Sequence, residues 1–257
     1  MGYSSITVEP GFHLFTVTFE DVAGNEYKLN DVKILNEDGT EWDVPDTTAT
    51  ACVIQKMETD GKGGYDSNLM YTYRHYKRTS PPQDKGLGWY VKTSTSSRVT
   101  DDVTIKNGEG LSINNKAGKN IKLQFSGAVT LTGRSFRVGT GFSLVGNLTP
   151  VAVKLNDVKI LNSDGTEWDV PDTTATACVI QKMETDGKGG YDANLMYTYR
   201  HYKRTSPPQD KGLGWYVKTS TSNRVTDDII IPAGEAVSIN NKSGADIIVL
   251  FPSPIAK

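Results

Sequence analysis

The amino-acid sequence predicts an all-β protein built from two tandem, nearly identical antiparallel β-sandwich or barrel-like domains. Residues 29–102 recur as residues 155–228, and a repeat of this length is a whole small domain rather than a solenoid unit of about 20 to 50 residues. Short runs of β-branched and aromatic residues alternate with turn signals along the whole chain, which favours strands over helices. Three positions differ between the two repeated segments: Glu37/Ser163, Ser67/Ala193 and Ser97/Asn223.

Eight segments of the first copy have the composition of strands. They are rich in Val, Ile, Thr, Tyr and Phe, and Asp-Gly, Asn-Gly, Gly-Gly and Pro-Pro pairs that favour turns lie between them. In chain order the predicted strands are SITV (5–8), FHLFTVTF (12–19), DVKIL (31–35), TACVIQKM (50–57), LMYTYRHY (69–76), GWYVKT (88–93), LSINN (111–115) and IKLQF (121–125). Seven or eight short strands per copy are typical of a sandwich or a compact barrel.

The domain boundary is predicted between Gly127 and Arg134, with a first domain at 1–128 and a second, duplicate domain at 132–257. Each unit is long enough to bury roughly two thirds of its unfolded surface. The junction is short and not rich in Pro or Gly, which predicts two domains in a defined relation rather than a flexible string.

The two copies differ mainly at their ends. Residues 103–127 have diverged from residues 229–253, and the N-terminal segments align only through a Ser-x-x-Val-x-x-Gly-Phe-x-Leu frame, with four extra residues in the first copy. Two interpretations are open. Either a recombination tract ended at these points, or the ends of each domain meet different neighbours.

Composition and charge exclude several classes of partner. The formal net charge is −2 and the isoelectric point is about 6.0, whereas nucleic acids and anionic membranes require a basic face. No apolar run approaches the roughly 18 residues of a membrane span, so no membrane-spanning segment is expected. The start, MGYSSITVEP, lacks the features of a signal peptide. Either a leader has been removed from a secreted chain, or the protein is cytosolic.

The sequence predicts no catalytic or metal site and no cofactor, and therefore no enzyme. Cys52 and Cys178 lie in apolar runs that predict buried strands, and their equivalent positions in two separate domains argue against a disulfide between them. A dyad of Cys52 with His75 would need an exposed thiolate. The acidic loops at 36–43 and 58–68 could offer calcium ligands, but neither has the spacing of an EF-hand, and plain turns are the simpler interpretation.

A basic and aromatic segment, YTYRHYKR, occurs at 71–78 and again at 197–204. In a strand, one face would join the core and the other would form a solvated ladder, or the aromatic rings would stack on sugars. The candidate glycan platform of the two copies consists of Tyr71, Tyr73, Arg74 and Trp89, and of Tyr197, Tyr199, Arg200 and Trp215.

Three short motifs occur in both copies. They are Gly-Phe-x-Leu (11–14 and 141–144), Gly-Trp-Tyr (88–90 and 214–216) and Gly-Glu-x-x-Ser-Ile-Asn-Asn (108–115 and 234–241), the last before a strand that ends in Phe. With these motifs each copy resembles a kind of secreted bacterial all-β repeat domain found on cell-surface and extracellular proteins. The resemblance implies an extracellular or cell-surface location and a non-enzymatic role.

We therefore predict a structural subunit of an extracellular filament or surface assembly that binds copies of itself head-to-tail, and a glycan-binding or adhesion module is the alternative. In the last strand of the second copy, Ile248 and Leu250 replace Lys122 and Gln124, which suggests an exposed apolar edge strand. The predicted polymer interface consists of Tyr3, Ile6, Ile248, Leu250, Phe251 and Ile255.

Overall fold

The chain folds into two all-β domains, as the sequence predicts. The computed structural model describes residues 2–20, 26–42, 50–56, 69–76, 85–94, 96–129, 134–168, 178–182, 195–202, 211–219 and 222–253. The strands up to Val129 pair in sheets with one another, the strands from Arg134 onward do the same, and all these pairings are antiparallel. Residues 130–133, between these strands, and Ile255 lie outside the described part of the chain.

The first domain contains strands β1 to β11 and one 3-10 turn at Leu29–Asp31 among its described residues. The strands are β1 (Gly2–Val8), β2 (Gly11–Thr16), β3 (Phe19–Glu20), β4 (Tyr27–Lys28), β5 (Lys33–Asn36), β6 (Cys52–Lys56), β7 (Met70–Tyr76), β8 (Gly86–Val91), β9 (Thr104–Ile105), β10 (Gly110–Asn115) and β11 (Ile121–Val129).

The second domain repeats this order except that β3 has no counterpart among its described residues, and its 3-10 turn lies at Leu155–Asp157. Its strands are β12 (Arg134–Val138), β13 (Gly141–Gly146), β14 (Val153–Lys154), β15 (Lys159–Asn162), β16 (Cys178–Gln181), β17 (Met196–Tyr202), β18 (Gly212–Val217), β19 (Ile230–Ile231), β20 (Ala236–Asn241) and β21 (Ile247–Phe251).

Each domain is a sandwich of two sheets. In the first, β11 pairs with β1, β3 and β5, and the facing sheet has the order β2-β10-β6-β7-β8. In the second, β21 lies between β12 and β15, and the facing sheet has the order β13-β20-β16-β17-β18. The pairs β4-β9 and β14-β19 form small additional sheets.

A tryptophan joins the two sheets of each sandwich through the core. The Trp89 ring packs edge-on against Tyr73, with ring centroids 5.0 Å apart, and its Nε1–H donates to the Val32 carbonyl at 2.9 Å. Trp215 makes the equivalent bond to Val158 at 2.8 Å. Because the bond crosses from β8 to the segment before β5, it fixes the spacing of the sheets as well as satisfying the buried indole.

One predicted strand is divided between the two sheets. The segment FHLFTVTF was expected to be a single strand, but β2 ends at Thr16 in the five-stranded sheet and β3 begins at Phe19 in the other. The division falls where β2 reaches the other domain, since the Thr16 backbone N–H donates to the Gly234 carbonyl of the second domain at 2.8 Å.

Candidate functional site

The two domains are joined by backbone hydrogen bonds as well as by the chain itself. The Thr16 N–H donates to the Gly234 carbonyl at 2.8 Å, and the Gly146 N–H donates to the Gly108 carbonyl at 3.1 Å. Two antiparallel bridges lie beside these bonds, Phe15 with Glu235 and Val145 with Glu109. We call this contact the domain interface.

The domain interface has pseudo-two-fold symmetry. A residue of β1 or β2 corresponds to the second-domain residue 130 positions later, and a residue of β10 or the turn before it to the one 126 positions later. Thr16 therefore corresponds to Gly146, and Gly108 to Gly234, so that the two interdomain hydrogen bonds are the same contact made in both directions. Such a contact is isologous: the same patch of each domain faces its counterpart.

Small and larger side chains are matched across this interface. A Cβ atom on Gly146 would lie 2.1 Å from the Thr16 Cβ, so a glycine is required opposite the threonine. A Cβ atom on Gly110 would lie 2.6 Å from the Leu144 Cβ and 2.9 Å from the Ala236 Cβ. The equivalent pairs Thr16/Gly146 and Gly110/Ala236 thus each hold a glycine on one side and a larger residue on the other.

Two glycine turns receive side chains from the opposite domain. Gly108, with φ of +82°, packs so closely under the Phe136 ring that a Cβ atom would come within 1.8 Å of it. The equivalent Gly234, with φ of +76°, packs under Ile6. The positive φ favours glycine at both positions, and at Gly108 the close approach of the Phe136 ring requires it as well. We call Thr16, Gly108 and Gly110 the first face, and Gly146, Gly234 and Ala236 the second face.

A buried ion pair lies beside each half of the interface. Lys56 Nζ is 3.1 Å from Glu109 Oε1, and these side chains are 9% and 13% exposed. Lys182 and Glu235 form the equivalent pair at 3.5 Å. A buried charge that lost its partner would destabilise the folded protein. Each ion pair therefore holds its glutamate, Glu109 or Glu235, in place at the interdomain bridge.

One side of the interface forms an open groove of about 550 Å³, which is lined by residues of both domains. Its lining includes Lys56, Glu109, Phe136 and Leu144. It is part of the domain interface rather than a separate site.

The residues of the interface lie in the parts of the sequence where the copies have diverged. Apart from Lys56 and Lys182, the residues of the two faces and their contacts lie outside the repeated segments 29–102 and 155–228. This placement does not decide between the two interpretations left open by the sequence, because the diverged ends of both domains meet each other in one shared interface. The interface itself was missed by sequence reasoning, and the uneven divergence was the signal that could have indicated it.

Among the described residues of the predicted polymer interface, Ile6 takes part in the domain interface through Gly234, and the expectation of an exposed apolar edge strand at β21 is wrong. Strand β21 is central in its sheet: Ile248 pairs with Arg137 on one side and Leu161 on the other. Phe251 is fully buried, and Ile248 and Leu250 are half-buried. In β1, Tyr3 pairs through its backbone with Ser126, and Ile6 packs against the first-domain core and Gly234.

The predicted glycan platform is also wrong, because its side chains are buried. Tyr71, Tyr73 and Trp89 belong to the core of the first domain, as one face of β7 was expected to. The other face of β7 is buried as well, since Thr72 and Arg74 have almost no exposed surface. The same holds for the copies in the second domain: Tyr197, Tyr199, Arg200 and Trp215.

Exposed aromatic side chains occur at a different pair of equivalent positions. Phe12 and Phe142, from the Gly-Phe-x-Leu motif, are 40% and 41% exposed. Each pairs in register with an asparagine of the next strand, Asn114 or Asn240, which is half-exposed.

The two cysteines are free and buried, as expected from their apolar strands. Each thiol lies near an asparagine oxygen, with Cys52 Sγ 3.7 Å from Asn115 Oδ1 and Cys178 Sγ 3.8 Å from Asn241 Oδ1. Burial raises the pKa of the Cys52 thiol from 9.0 to about 12, and it raises the pKa of Cys178 in the same way. A thiol in this environment is a weak nucleophile at neutral pH.

Among the described residues, no three His, Cys, Asp or Glu side chains lie close enough together to hold a metal ion. Within the same part of the chain, no helix has the length and apolar character needed to cross a membrane. The loop at 58–68 lies outside the described residues.

The chain matches no known protein family, no curated protein and no solved structure. The resemblance to secreted bacterial repeat domains therefore stays a prediction from the sequence.

Proposed function

We propose that this protein is a structural, non-enzymatic subunit of an extracellular or cell-surface assembly that binds copies of itself. The domain interface supports this proposal most directly. Reciprocal hydrogen bonds, bridges and matched side chains join the two domains into one block. A block of fixed geometry is what a regular assembly requires, whereas modules that only tether a partner function equally well on flexible linkers.

The route of assembly differs from the one that the sequence suggested. A contact through an exposed edge of β21 is ruled out, because both edges of that strand are already paired with β12 and β15. The apolar side chains that this strand can still offer for contact with another molecule are Ile248 and Leu250, on its outer face.

The proposal is tested by measuring the mass and shape of the purified full-length chain. Light scattering over a wide concentration range should show growth above the monomer mass of 28.1 kDa. Negative-stain electron microscopy of the concentrated sample should show regular filaments or layers. A protein that stays at the monomer mass throughout, with no ordered particles, contradicts the structural role.

A second candidate is a glycan-binding module, and the two exposed phenylalanines favour it. Phe12 and Phe142 could stack on sugar rings while the paired Asn114 and Asn240 donate hydrogen bonds, and two equivalent sites would add avidity on a multivalent glycan. On a glycan array, Phe12→Ala with Phe142→Ala should abolish binding, while Val151→Ala, at an exposed apolar position, should not. An array without hits for the unaltered protein removes this candidate.

A further inference from the structure

We propose that the domain interface also forms between molecules, with the first face of one chain bound to the second face of the next, so that the subunits join head-to-tail by domain exchange. This inference rests on the proposed structural role and names the contact through which the subunits would join. The partner is a second copy of this chain.

Two first faces cannot pair with each other. In such a pairing a second Thr16 would take the place of Gly146, and its Cβ would lie 2.1 Å from the Thr16 Cβ. This distance is far below any real contact between two carbon atoms. The β2 strands would have to separate, and the reciprocal backbone bonds near Thr16 would be lost.

Two second faces cannot pair either. There a second Ala236 would take the place of Gly110, with its Cβ 2.6 Å from the Leu144 Cβ and 2.9 Å from the other Ala236 Cβ. A first face can therefore bind a second face, whereas two identical faces clash. Steric clashes with the wrong partner are a usual source of specific pairing.

The contact does not depend on both faces belonging to one chain. Among the described residues, neither domain lends a strand to a sheet of the other, and the two interdomain bridges found there are isolated ones. Residues 130–133 are the only covalent connection between β11 and β12. A second domain from another molecule could thus make the same hydrogen bonds, bridges and side-chain contacts, and short connections between domains are known to favour exchange.

An opened molecule offers two unlike faces at once, and this determines how an assembly grows. Because like faces reject each other, each added subunit must bind its first face to a second face, or the reverse. Such heterologous contacts extend into a filament unless they close into a ring. The contact that joins the two domains within one chain would thus join the domains of neighbouring chains and link the subunits head-to-tail.

Full-length variants blocked on opposite faces test this. Thr16→Arg blocks the first face and leaves the second intact, and Gly146→Arg does the opposite. Each variant alone should be monomeric at 28.1 kDa, while an equimolar mixture should give a dimer of about twice that mass. Light scattering coupled to size-exclusion chromatography measures both, and circular dichroism checks that each variant retains its β structure.

A mixture that stays monomeric, with both variants folded, overturns domain exchange. If an arginine variant does not fold, Gly110→Leu and Ala236→Leu block the same two faces with smaller side chains, and their mixture has the same two outcomes. The result is independent of the structural role itself. Filaments of the unaltered protein, together with a monomeric mixture of variants, would leave the structural role standing and assign assembly to another surface.

Discussion

Thr16 and Gly146 occupy equivalent positions in the two domains and face each other across the domain interface, where a side chain on one requires its absence on the other. The duplicated domains are therefore not interchangeable, although their repeated segments differ at only three positions. The asymmetry lies in a few residues of β2, β10 and their counterparts.

The first prediction concerns this pair. Gly146→Ala should lower the free energy of unfolding by about 1–3 kcal/mol, because the added methyl group overpacks the interface against Thr16. Thr16→Gly in the same chain should recover part of the loss. Urea denaturation measures both. Gly139→Ala is the matched control, since its Cβ would have no neighbour closer than 3.8 Å. Equal effects of the two alanine variants would contradict the size match.

The second prediction concerns the tryptophans that join the two sheets. Trp89→Phe should cost about 1–3 kcal/mol of stability, because the Val32 carbonyl loses its buried donor. Trp215→Phe should have a similar effect through Val158. Thermal unfolding followed by circular dichroism measures the change. The effects should add in the double variant, because the two sites share no contact, and strong non-additivity would show that the cores are coupled.

The third prediction separates domain exchange from assembly through the last strand. Ile248→Lys with Leu250→Gln gives β21 the residues that β11 has at the equivalent positions, Lys122 and Gln124. Because these side chains are only half-buried, stability should change by no more than about 1 kcal/mol. Assembly measured by light scattering should be unchanged if exchange drives it. A large loss of assembly would restore the last strand as the contact surface.

The fourth prediction concerns pH. A buried thiol whose pKa is raised favours the folded state below the unfolded pKa of 9.0, and this advantage is lost as the pH rises toward about 12 for Cys52. Stability in urea should therefore decrease from pH 9 upward. Cys52→Ala with Cys178→Ala should flatten this part of the profile. Native thiols should react with a thiol reagent at pH 8 only after unfolding, and rapid reaction in the folded protein would contradict their burial.

The strands could be predicted from the sequence because their signals are local. Alternation of β-branched and aromatic residues located β1, β6, β7 and β10 to within a few residues, and the apolar run around Cys52 was correctly expected to be a buried strand. The prediction of a glycan platform was wrong for a related reason. Alternation predicts which side chains share a face of β7, but it does not predict that both faces are buried.

The domain interface could not be predicted, because it depends on contacts between distant residues. The bond from Thr16 to Gly234 joins positions more than 200 residues apart, and no local pattern marks either of them as an interface residue. The match of Thr16 with Gly146 is a property of the pair rather than of either residue. In the sequence, only the divergence of the domain ends set these segments apart from the rest of each domain.

The position of the interface outside the repeated segments has a consequence for the gene. Unequal crossing-over between the repeats would delete one copy and leave a single domain with the start of the first and the end of the second, carrying both Thr16 and Ala236. Two such products would clash at both positions, since neither would offer a glycine. The deletion product would thus be unable to form the interface with itself, and selection for that interface would preserve the duplication.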